Sequence, residues 1–323
     1  MKQQTVRIAR TFSGLFTKKD ILVTTVISVA YLLIASLLLG YKPDQLFLVI
    51  LFNLMYYISF PTRRFITGFS VFIVYWIVFD FMKVIPNYQY NTVNIASLYH
   101  AEKYLFAINV DGRLFTPNEY LAKNTHSALD VWTGLFYLCW VPVPLVFSAY
   151  LFFKNHRQFL YFALTFFFVN LLGFVVYYIY PAAPPWYVQQ HGFTFIPFTP
   201  GNTAGLQRFD NYFNVKIFKS LYEKSSNVFA AMPSLHSAYP LIVFYYGIKN
   251  KLGWVNILFA IVMVGIWFAA IYTSHHYVLD VIAGIICAIL GIFIFDKILV
   301  PNKRFKAFIN RFLNKMELNR QQQ

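Results

Sequence analysis

Long runs of apolar residues, separated by short polar segments, recur along most of the 323-residue chain. A membrane-spanning helix needs roughly 20 consecutive apolar residues, and ten-residue segments of alternating polarity, which a β-barrel would need, do not recur. Because backbone polar groups in lipid must be paired, the pattern predicts an all-α polytopic membrane protein. Eight transmembrane helices are predicted, at residues 21–41, 45–60, 65–85, 128–153, 158–180, 232–249, 253–273 and 276–299.

Positive charge is concentrated in short loops and in the tail. The net charge is +15, although only 12% of residues are charged. The basic loop residues are Arg63, Arg64, Lys154, Arg157, Lys249 and Lys251. With eight spans these loops and both termini share one side, which the positive-inside pattern places in the cytoplasm. This distribution favours a membrane protein over a nucleic-acid binder. The basic tail 300–323 has helical apolar spacing, typical of a helix on an anionic membrane surface or of a solvated helix.

Two longer polar segments, about 86–127 and 181–231, are predicted on the opposite, periplasmic or lumenal face. They suggest three parts: N-terminal spans with the first external loop (1–127), a catalytic membrane core (128–299) and the tail (300–323). Short interfacial helices are expected near 94–107 and 211–223. The first apolar run lacks a small-residue cleavage site and is interpreted as a retained span. Nucleotide-binding and zinc motifs are absent from the sequence, and Cys139 and Cys287 have no metal-ligand spacing, so no cofactor is predicted.

The segment TSHHYVLDVIAG (273–284) places two histidines and an aspartate where the last span begins. On a helix, the four-residue spacing puts His276 and Asp280 on one face. Asp280 can then accept a hydrogen bond from the imidazole, which fixes its tautomer and makes the other nitrogen a better nucleophile. Alternatively, Asp280 only stabilises a helix N-terminus, or the histidines bind a metal, although His236 is the one obvious further ligand. His275 lies about 100° around the helix, which suggests a structural or substrate-facing role.

The segment PSLH (233–236) begins another predicted span at the same face. Pro233 and Ser234 suit a helix start, where backbone N–H groups and the Ser234 hydroxyl can hold a phosphate oxygen. His236 would lie one turn into the helix, where it can protonate a leaving alkoxide. By itself the motif is typical of a capped helix. Together with His276 and Asp280 it indicates a phosphoryl-transfer centre.

A third motif, PAAPPWY (181–187), follows the fifth predicted span. Its three prolines stiffen the chain, and aromatic residues are common at membrane interfaces. A functional alternative is that Trp186 and Tyr187 wall a pocket for a lipid headgroup.

These motifs, MPSLHSAYP followed by SHHYVLDVIAG, resemble the second and third signature motifs of the type-2 phosphatidic acid phosphatase superfamily. Together with PAAPPWY they resemble its inositol phosphorylceramide synthase branch, the fungal enzymes inhibited by aureobasidin A. The resemblance covers about residues 128–299. It implies a six-helix catalytic core that transfers a phosphoryl group through histidine without a metal.

The resemblance also implies a role for each matched residue. His276 would be the nucleophile that forms a phosphohistidine, Asp280 would orient it, and His236 would protonate the departing diacylglycerol. A ceramide hydroxyl would then attack the phosphohistidine with His236 as base. The implied partners are therefore a phosphatidylinositol-like donor and a ceramide-like acceptor.

The sequence departs from the phosphatase pattern at three points. Leu235 stands where the second motif has Gly, Ala270 stands where the third motif has Arg, and the Arg-Pro of the first motif is absent from the chain. Loss of these cations fits a monoanionic phosphodiester better than a dianionic phosphomonoester. It leaves the counter-charge of the phosphate unassigned. The candidates, each of which can equally be a solvated surface cation, are Arg208, Lys216, Lys219 and Lys224.

Three hypotheses follow. The first is a membrane phosphotransferase that moves phosphoinositol, or a related headgroup, to a ceramide-like lipid. The second is a lipid phosphatase that uses water as acceptor, and the third is a transporter or scaffold with structural histidines. An enzyme that excludes water and admits a second lipid should transfer rather than hydrolyse.

Overall fold

The computed structural model describes residues 17–223 and 227–318. Of the candidate cations, Lys224 lies outside these residues. The described chain forms two compact units, one made of the residues up to Val84 and from Pro301 onward, the other of Ile85–Val300. The external segment 85–127, grouped with the N-terminal spans in the sequence-based division, thus packs within the second unit.

The first unit consists of four helices. Thr17 begins the first helix with a capping box, because its amide donates to Asp20 Oδ2 at 2.9 Å and its hydroxyl accepts from the Asp20 amide at 3.1 Å. The C-terminal helix packs on the third helix, and its apolar residues Ile309 and Leu313 are buried. This apolar face is therefore covered by protein only in part, because Phe308 on the same helix is 49% exposed. The helices are α1 (Lys18–Leu39), α2 (Pro43–Ile58), α3 (Phe60–Phe81) and α15 (Lys303–Leu318).

The second unit contains the remaining helices and one short hairpin. The first external segment forms α4 (Ala96–Phe106), β1 (Ile108–Val110), β2 (Arg113–Phe115) and α5 (Pro117–Lys123). The following helices are α6 (Ser127–Leu138), α7 (Pro142–Lys154), α8 (His156–Ile179), α9 (Pro185–His191), α10 (Gln207–Phe213), α11 (Ile217–Tyr222), α12 (Leu235–Lys249), α13 (Val255–Tyr272) and α14 (Val278–Ile294), which continues as a π-helix (Phe295–Leu299). The predicted interfacial helix 94–107 corresponds to α4. The one predicted at 211–223 is two helices, separated where Asn214 adopts a left-handed conformation.

Helix α12 is the centre of the second unit and packs against α7, α8, α13 and α14. Its start approaches α14 at Gly284, where an added Cβ would lie 2.0 Å from the carbonyl oxygen of Ser234. The Ser234 amide donates to the Asp280 carbonyl at 2.9 Å at the same crossing. Glycine is required here because any side chain would separate the two histidine segments. In the segment predicted to be external, α4 packs on α14 and α5 packs on α13.

The prediction of an all-α polytopic membrane protein is confirmed. Among the described residues, six helical segments are long and apolar enough to cross a membrane. One of them, Ser127–Lys154, consists of α6 and α7 with a break at residues 139–141. Helices α2 and α12 are also present but shorter, with 16 and 15 residues. The count of eight spans stays a prediction.

Candidate active site

The His276 segment is a tight turn rather than the first turn of a helix. Helix α13 ends at Tyr272, and the Ala270 carbonyl then accepts from the amides of His275 at 3.1 Å and His276 at 3.0 Å. Ser274 adopts a left-handed conformation with φ of 60°, the position where helix ends usually place glycine. Helix α14 begins only at Val278. The expectation of a helix from about residue 276 is therefore wrong by two residues, and His276 lies outside it.

His276 and His236, 40 residues apart in sequence, are in direct contact. His276 Nε2 lies 2.9 Å from His236 Nδ1, and His276 Nδ1 lies 2.9 Å from the Ala231 carbonyl oxygen. A carbonyl can only accept, so His276 carries its proton on Nδ1 and has a lone pair on Nε2. Burial lowers the pKa of His276 to about 4. The imidazole is therefore neutral near pH 7, with the unprotonated Nε2 directed at His236.

Asp280 does not hold His276 as its spacing suggested. Its Oδ2 is 3.7 Å from His276 Nδ1, beyond hydrogen-bond distance, and instead accepts from the Tyr277 amide at 2.8 Å. The reason is the late start of α14, because the four-residue spacing defines a shared face only when both residues are helical. The Ala231 carbonyl takes the orienting place, while Asp280 caps α14 and its carboxyl group lies beside the imidazole.

The PSLH segment does form a helix start, but it is used differently from the prediction. Ser234 is the N-cap of α12 without a side-chain capping bond, and its buried hydroxyl accepts from Ser237 Oγ at 3.1 Å. The Ser234 amide is already bonded to the carbonyl of Asp280. Ser234 therefore joins the two histidine segments, and its own amide is not available for a phosphate oxygen.

His236 is the more accessible of the two contacting histidines, since it is partly exposed whereas His276 is buried. The Trp140 ring lies edge-on to its imidazole at 4.6 Å between centroids, and the Tyr137 ring lies at 5.1 Å. Trp140 is in the break between α6 and α7, within a candidate membrane span. His236 therefore lies against an aromatic surface inside the bundle, which suits a lipid substrate.

His275 points away from this pair. Its Nδ1 lies 3.0 Å from Thr273 Oγ1, and its ring packs against Tyr222 and Tyr137 at 4.6 and 5.4 Å between centroids. Its Nε2 is buried and has no hydrogen-bond partner among the described residues. Burial, followed by the neighbouring His276, lowers the pKa of His275. These contacts make it a neutral packing residue beside the site.

The PAAPPWY motif connects the external segments to the histidine loop through its backbone. The Ala182 amide donates to the Phe229 carbonyl at 2.9 Å, and the Ala182 carbonyl accepts from the Ala231 amide at 3.2 Å. The Trp186 amide donates to the Ser274 carbonyl at 3.0 Å. The motif thus holds Ala231, the partner of His276, and the turn beside His275.

The same motif does not present its aromatic rings to an open pocket. Trp186 and Tyr187 are 5% and 0% exposed and pack in an apolar cluster with Ile95 and Phe229. The Tyr187 hydroxyl is also occupied, since it donates to the Thr194 carbonyl at 2.8 Å. The structure therefore gives both rings a scaffolding position in this cluster rather than the position of pocket walls.

Of the candidate cations that the structure describes, Arg208 lies nearest to the histidine turn. Its guanidinium pairs with Asp130 and lies 5.1 Å from the Tyr272 ring centroid, while its Nη2 is buried and has no hydrogen-bond partner within residues 17–223 and 227–318. The adjacent Gly205 amide donates to the Thr273 carbonyl at 2.9 Å. Lys216 and Lys219 are exposed, and Lys219 pairs with Glu223 at 3.8 Å.

Two residues of the first external segment contact the histidine turn and were not identified from the sequence. Asn118 Nδ2 donates to the carbonyls of Ile271 at 2.8 Å and His276 at 2.9 Å. Glu102 accepts from the amides of Val278 at 2.9 Å and Leu279 at 3.1 Å. Their sequence context carries no signal, because single Asn and Glu residues in a polar loop are usually solvated.

Comparison with known proteins identifies the family to which the chain belongs. The sequence matches the PAP2 superfamily over residues 106–294, more than half of the chain. The chain therefore belongs to the PAP2 superfamily. This is the superfamily that the two histidine motifs were found to resemble. No solved structure gives a significant match.

The similar proteins within this superfamily are synthases. The chain is 45% identical over 298 residues to the phosphoinositol dihydroceramide synthase of Bacteroides thetaiotaomicron, covering 92% of this chain and 98% of that protein. It is 26% identical over 254 residues to the inositol phosphorylceramide synthase catalytic subunit of Schizosaccharomyces pombe, covering 76% and 57% of the two chains. The corresponding subunit of Saccharomyces cerevisiae is 27% identical over 252 residues, covering 72% and 59%. The resemblance to the synthase branch is confirmed, and the chain is an inositol phosphorylceramide synthase-like membrane enzyme.

Proposed function

We propose that the protein transfers phosphoinositol from phosphatidylinositol to the primary hydroxyl of ceramide or dihydroceramide, through a phosphohistidine on His276. The observation that carries the proposal is the contact between His276 Nε2 and His236 Nδ1 at 2.9 Å, together with the Ala231 carbonyl that keeps the His276 proton on Nδ1. A nucleophile adjacent to a proton-transfer group, and oriented by a third group, is the arrangement used in covalent catalysis.

In the first step, the lone pair of His276 Nε2 attacks the phosphorus atom of the donor lipid. The N–P bond forms as the bond from phosphorus to the diacylglycerol oxygen breaks. Once the anionic phosphodiester is bound beside it, His236 takes up a proton, and the resulting imidazolium donates this proton to the departing oxygen. The phosphorylated His276 ring keeps its proton on Nδ1 and carries a positive charge, which the Ala231 carbonyl at 2.9 Å and the Asp280 carboxylate at 3.7 Å stabilise.

In the second step, His236 acts as the base. It removes the proton from the ceramide hydroxyl, whose oxygen attacks phosphorus while the N–P bond breaks. His276 returns to the neutral imidazole, and His236 returns to the imidazolium. Because one phosphodiester is exchanged for another, the reaction needs no external energy source. Exclusion of water from the buried His276 favours the lipid acceptor.

Arg208 supplies positive charge beside the histidine turn in this proposal. Its unpaired Nη2 is buried, and its partner Asp130 neutralises only part of the local charge. The family arginine that Ala270 replaces would come from α13, whereas Arg208 comes from α10. Of the described cations, Arg208 is thus best suited to bind the phosphodiester, through the N–H groups of its Nη2. By the positive-inside pattern, we place the site at the periplasmic or lumenal face and the termini in the cytoplasm.

The test uses the full chain in lipid nanodiscs with phosphatidylinositol labelled in the inositol ring. Ceramide, dihydroceramide and water alone are compared as acceptors, and His276→Ala and His236→Ala are compared with wild type. We expect labelled inositol phosphorylceramide from the lipid acceptors. His276→Ala should lose at least about 10³-fold in rate, and His236→Ala about 10²-fold to 10⁴-fold.

The matched control is His100→Ala, because His100 is an exposed histidine of the first external segment. It should retain wild-type activity. Wild-type transfer by His276→Ala would refute the covalent role of this residue. Release of free inositol phosphate at equal rates with and without ceramide would instead assign the protein to the hydrolases.

A further inference from the structure

We infer that Asn118 and Glu102, both in the first external segment, are positioning residues that fix the backbone on each side of His276. This inference rests on the proposed role of His276 as nucleophile. It gives catalytic importance to a part of the chain that carries none of the three motifs. Glu102 also lies outside the residues matched to the superfamily, which begin at residue 106.

Asn118 closes the turn that contains both histidines. Its side chain is fully buried, and Nδ2 uses its two hydrogens on carbonyls five residues apart, those of Ile271 and His276. The first carbonyl belongs to the last turn of α13, and the second belongs to the nucleophile itself. One side-chain amide therefore links the residue that attacks phosphorus to a rigid helix.

Glu102 fixes the other side of the same residue. Its buried carboxylate accepts from two consecutive amides, those of Val278 and Leu279, at the first turn of α14. The first turn of a helix has amides without intrahelical partners, and the two carboxyl oxygens of Glu102 accept from two of them. Asp280 caps the same turn through the Tyr277 amide. Two carboxylates from distant parts of the sequence thus hold the chain immediately after His276.

The elements that carry these two residues are themselves braced. The Tyr99 hydroxyl on α4 donates to Glu119 Oε1 on α5 at 2.8 Å, and Lys103 Nζ lies 3.1 Å from the same hydroxyl. Glu119 Oε2 also accepts from the Thr116 amide at 2.8 Å, which caps α5. Asn118 and Glu102 consequently act from one rigid platform. Because a displacement of about 1 Å at a reacting atom can cost about 10²-fold in rate, loss of either contact should affect turnover.

The experiment compares Asn118→Leu and Glu102→Gln with two matched controls. Asn124→Leu makes the same change in an exposed asparagine whose Nδ2 bonds locally to the Tyr120 carbonyl. Glu223→Gln makes the same change in an exposed glutamate that pairs with Lys219 at 3.8 Å and takes no part in the platform. The full-length proteins are assayed in nanodiscs for kcat and KM with phosphatidylinositol and ceramide, and melting temperatures are recorded. We expect kcat to fall about 10-fold to 100-fold in the first pair, with KM within about twofold, and both controls to match wild type.

A spectroscopic readout separates positioning from general destabilisation. Solid-state ¹⁵N NMR of histidine-labelled protein identifies the His276 signals by their loss in His276→Ala. Wild type should show the proton on Nδ1, and Asn118→Leu should show a mixture of tautomers because the contact with Ala231 is loosened. Unchanged kcat and an unchanged His276 tautomer in both variants would overturn the inference. It would also be overturned if kcat fell in proportion to the melting temperature, equally in the variants and in the controls. Full activity of His276→Ala would instead refute the proposed function, so the two failures are distinguishable.

Discussion

The two histidine segments meet at 2.9 Å but are built in different ways. His236 lies in the first turn of α12, so the helix that its own neighbours form determines where the side chain points. His276 lies in a turn between two helices and is held by residues 45 and 158 positions away, Ala231 and Asn118. Local structure therefore places His236, the proposed general acid, whereas tertiary contacts place His276, the proposed nucleophile.

The largest effect is expected where the two segments touch. In Gly284→Ala the added Cβ would lie 2.0 Å from the Ser234 carbonyl, so α12 and α14 must separate. We expect transfer activity to fall about 10²-fold or more, because the distance between the two histidines increases. Assays of kcat in nanodiscs measure this loss.

The control for that variant is Gly291→Ala on the same helix. There the added Cβ would meet the Val169 side chain at 2.5 Å, a group that can rotate, rather than backbone. This variant should lose some stability but keep most of its activity. Equal activity losses in the two variants would show that the close crossing at Ser234 has no special part in catalysis.

Asp280 has two possible roles, as the cap of α14 and as an electrostatic partner of His276, and two substitutions separate them. Asp280→Asn keeps an oxygen that can accept from the Tyr277 amide, but it removes the charge 3.7 Å from His276. If the charge stabilises the phosphorylated imidazolium, kcat should fall about 10²-fold to 10⁴-fold while the melting temperature changes little. Asp280→Ala removes both the cap and the charge, so kcat and the melting temperature should both fall. Wild-type kcat in Asp280→Asn would limit Asp280 to the capping role.

Neither histidine segment contains a lysine or an arginine. Substitution of Arg208 therefore tests whether the phosphate binds beside the His276 turn. Because Arg208 contacts the end of α13, beside the His276 turn, Arg208→Gln should raise KM for phosphatidylinositol about 10-fold, as expected for one charge-assisted hydrogen bond. Lys216→Gln removes an exposed cation from the same external segment and should leave KM within about twofold. A larger increase in KM in Lys216→Gln than in Arg208→Gln would show that the phosphate binds at the exposed surface.

The smallest effect concerns pH and the platform that holds His276. Burial, with a further contribution from Asp280, raises the pKa of Glu102 to about 7, and its bonds from Val278 and Leu279 only partly oppose this shift. Tyr277 and Asp280 are the titratable groups that face it from the α14 side. The folded protein therefore holds a proton that the unfolded chain releases above about pH 4.5. Stability from this group is full below that value and falls as pH rises through 7.

Melting temperatures measured from pH 5 to 8 check this prediction. Wild type should lose more stability than Glu102→Gln over this interval, because glutamine does not titrate. Parallel curves for the two proteins would show that Glu102 titrates near its ordinary value, and that its contact with α14 is independent of pH.

Some features of the site could be predicted from short stretches of sequence. Apolar run lengths indicated the helices, and the PSLH and HHYVLD motifs indicated a phosphoryl-transfer pair, because residue type and spacing carry that information. The role given to Asp280 depended on a helix start two residues too early. Because His276 lies before the helix, Asp280 bonds to the Tyr277 amide and not to the His276 ring. Only helical residues four apart share a face.

What the sequence determined by itself was the membrane class, the residues of the histidine pair and the superfamily, because hydrophobicity and motif spacing are local properties. Only the tertiary structure decided that Ala231 orients His276, that PAAPPWY acts through its backbone, and that Asn118 and Glu102 brace the turn. These contacts join carbonyls, amides and common polar side chains across long separations. Backbone groups are the same in every residue, so no sequence pattern marks which of them will meet.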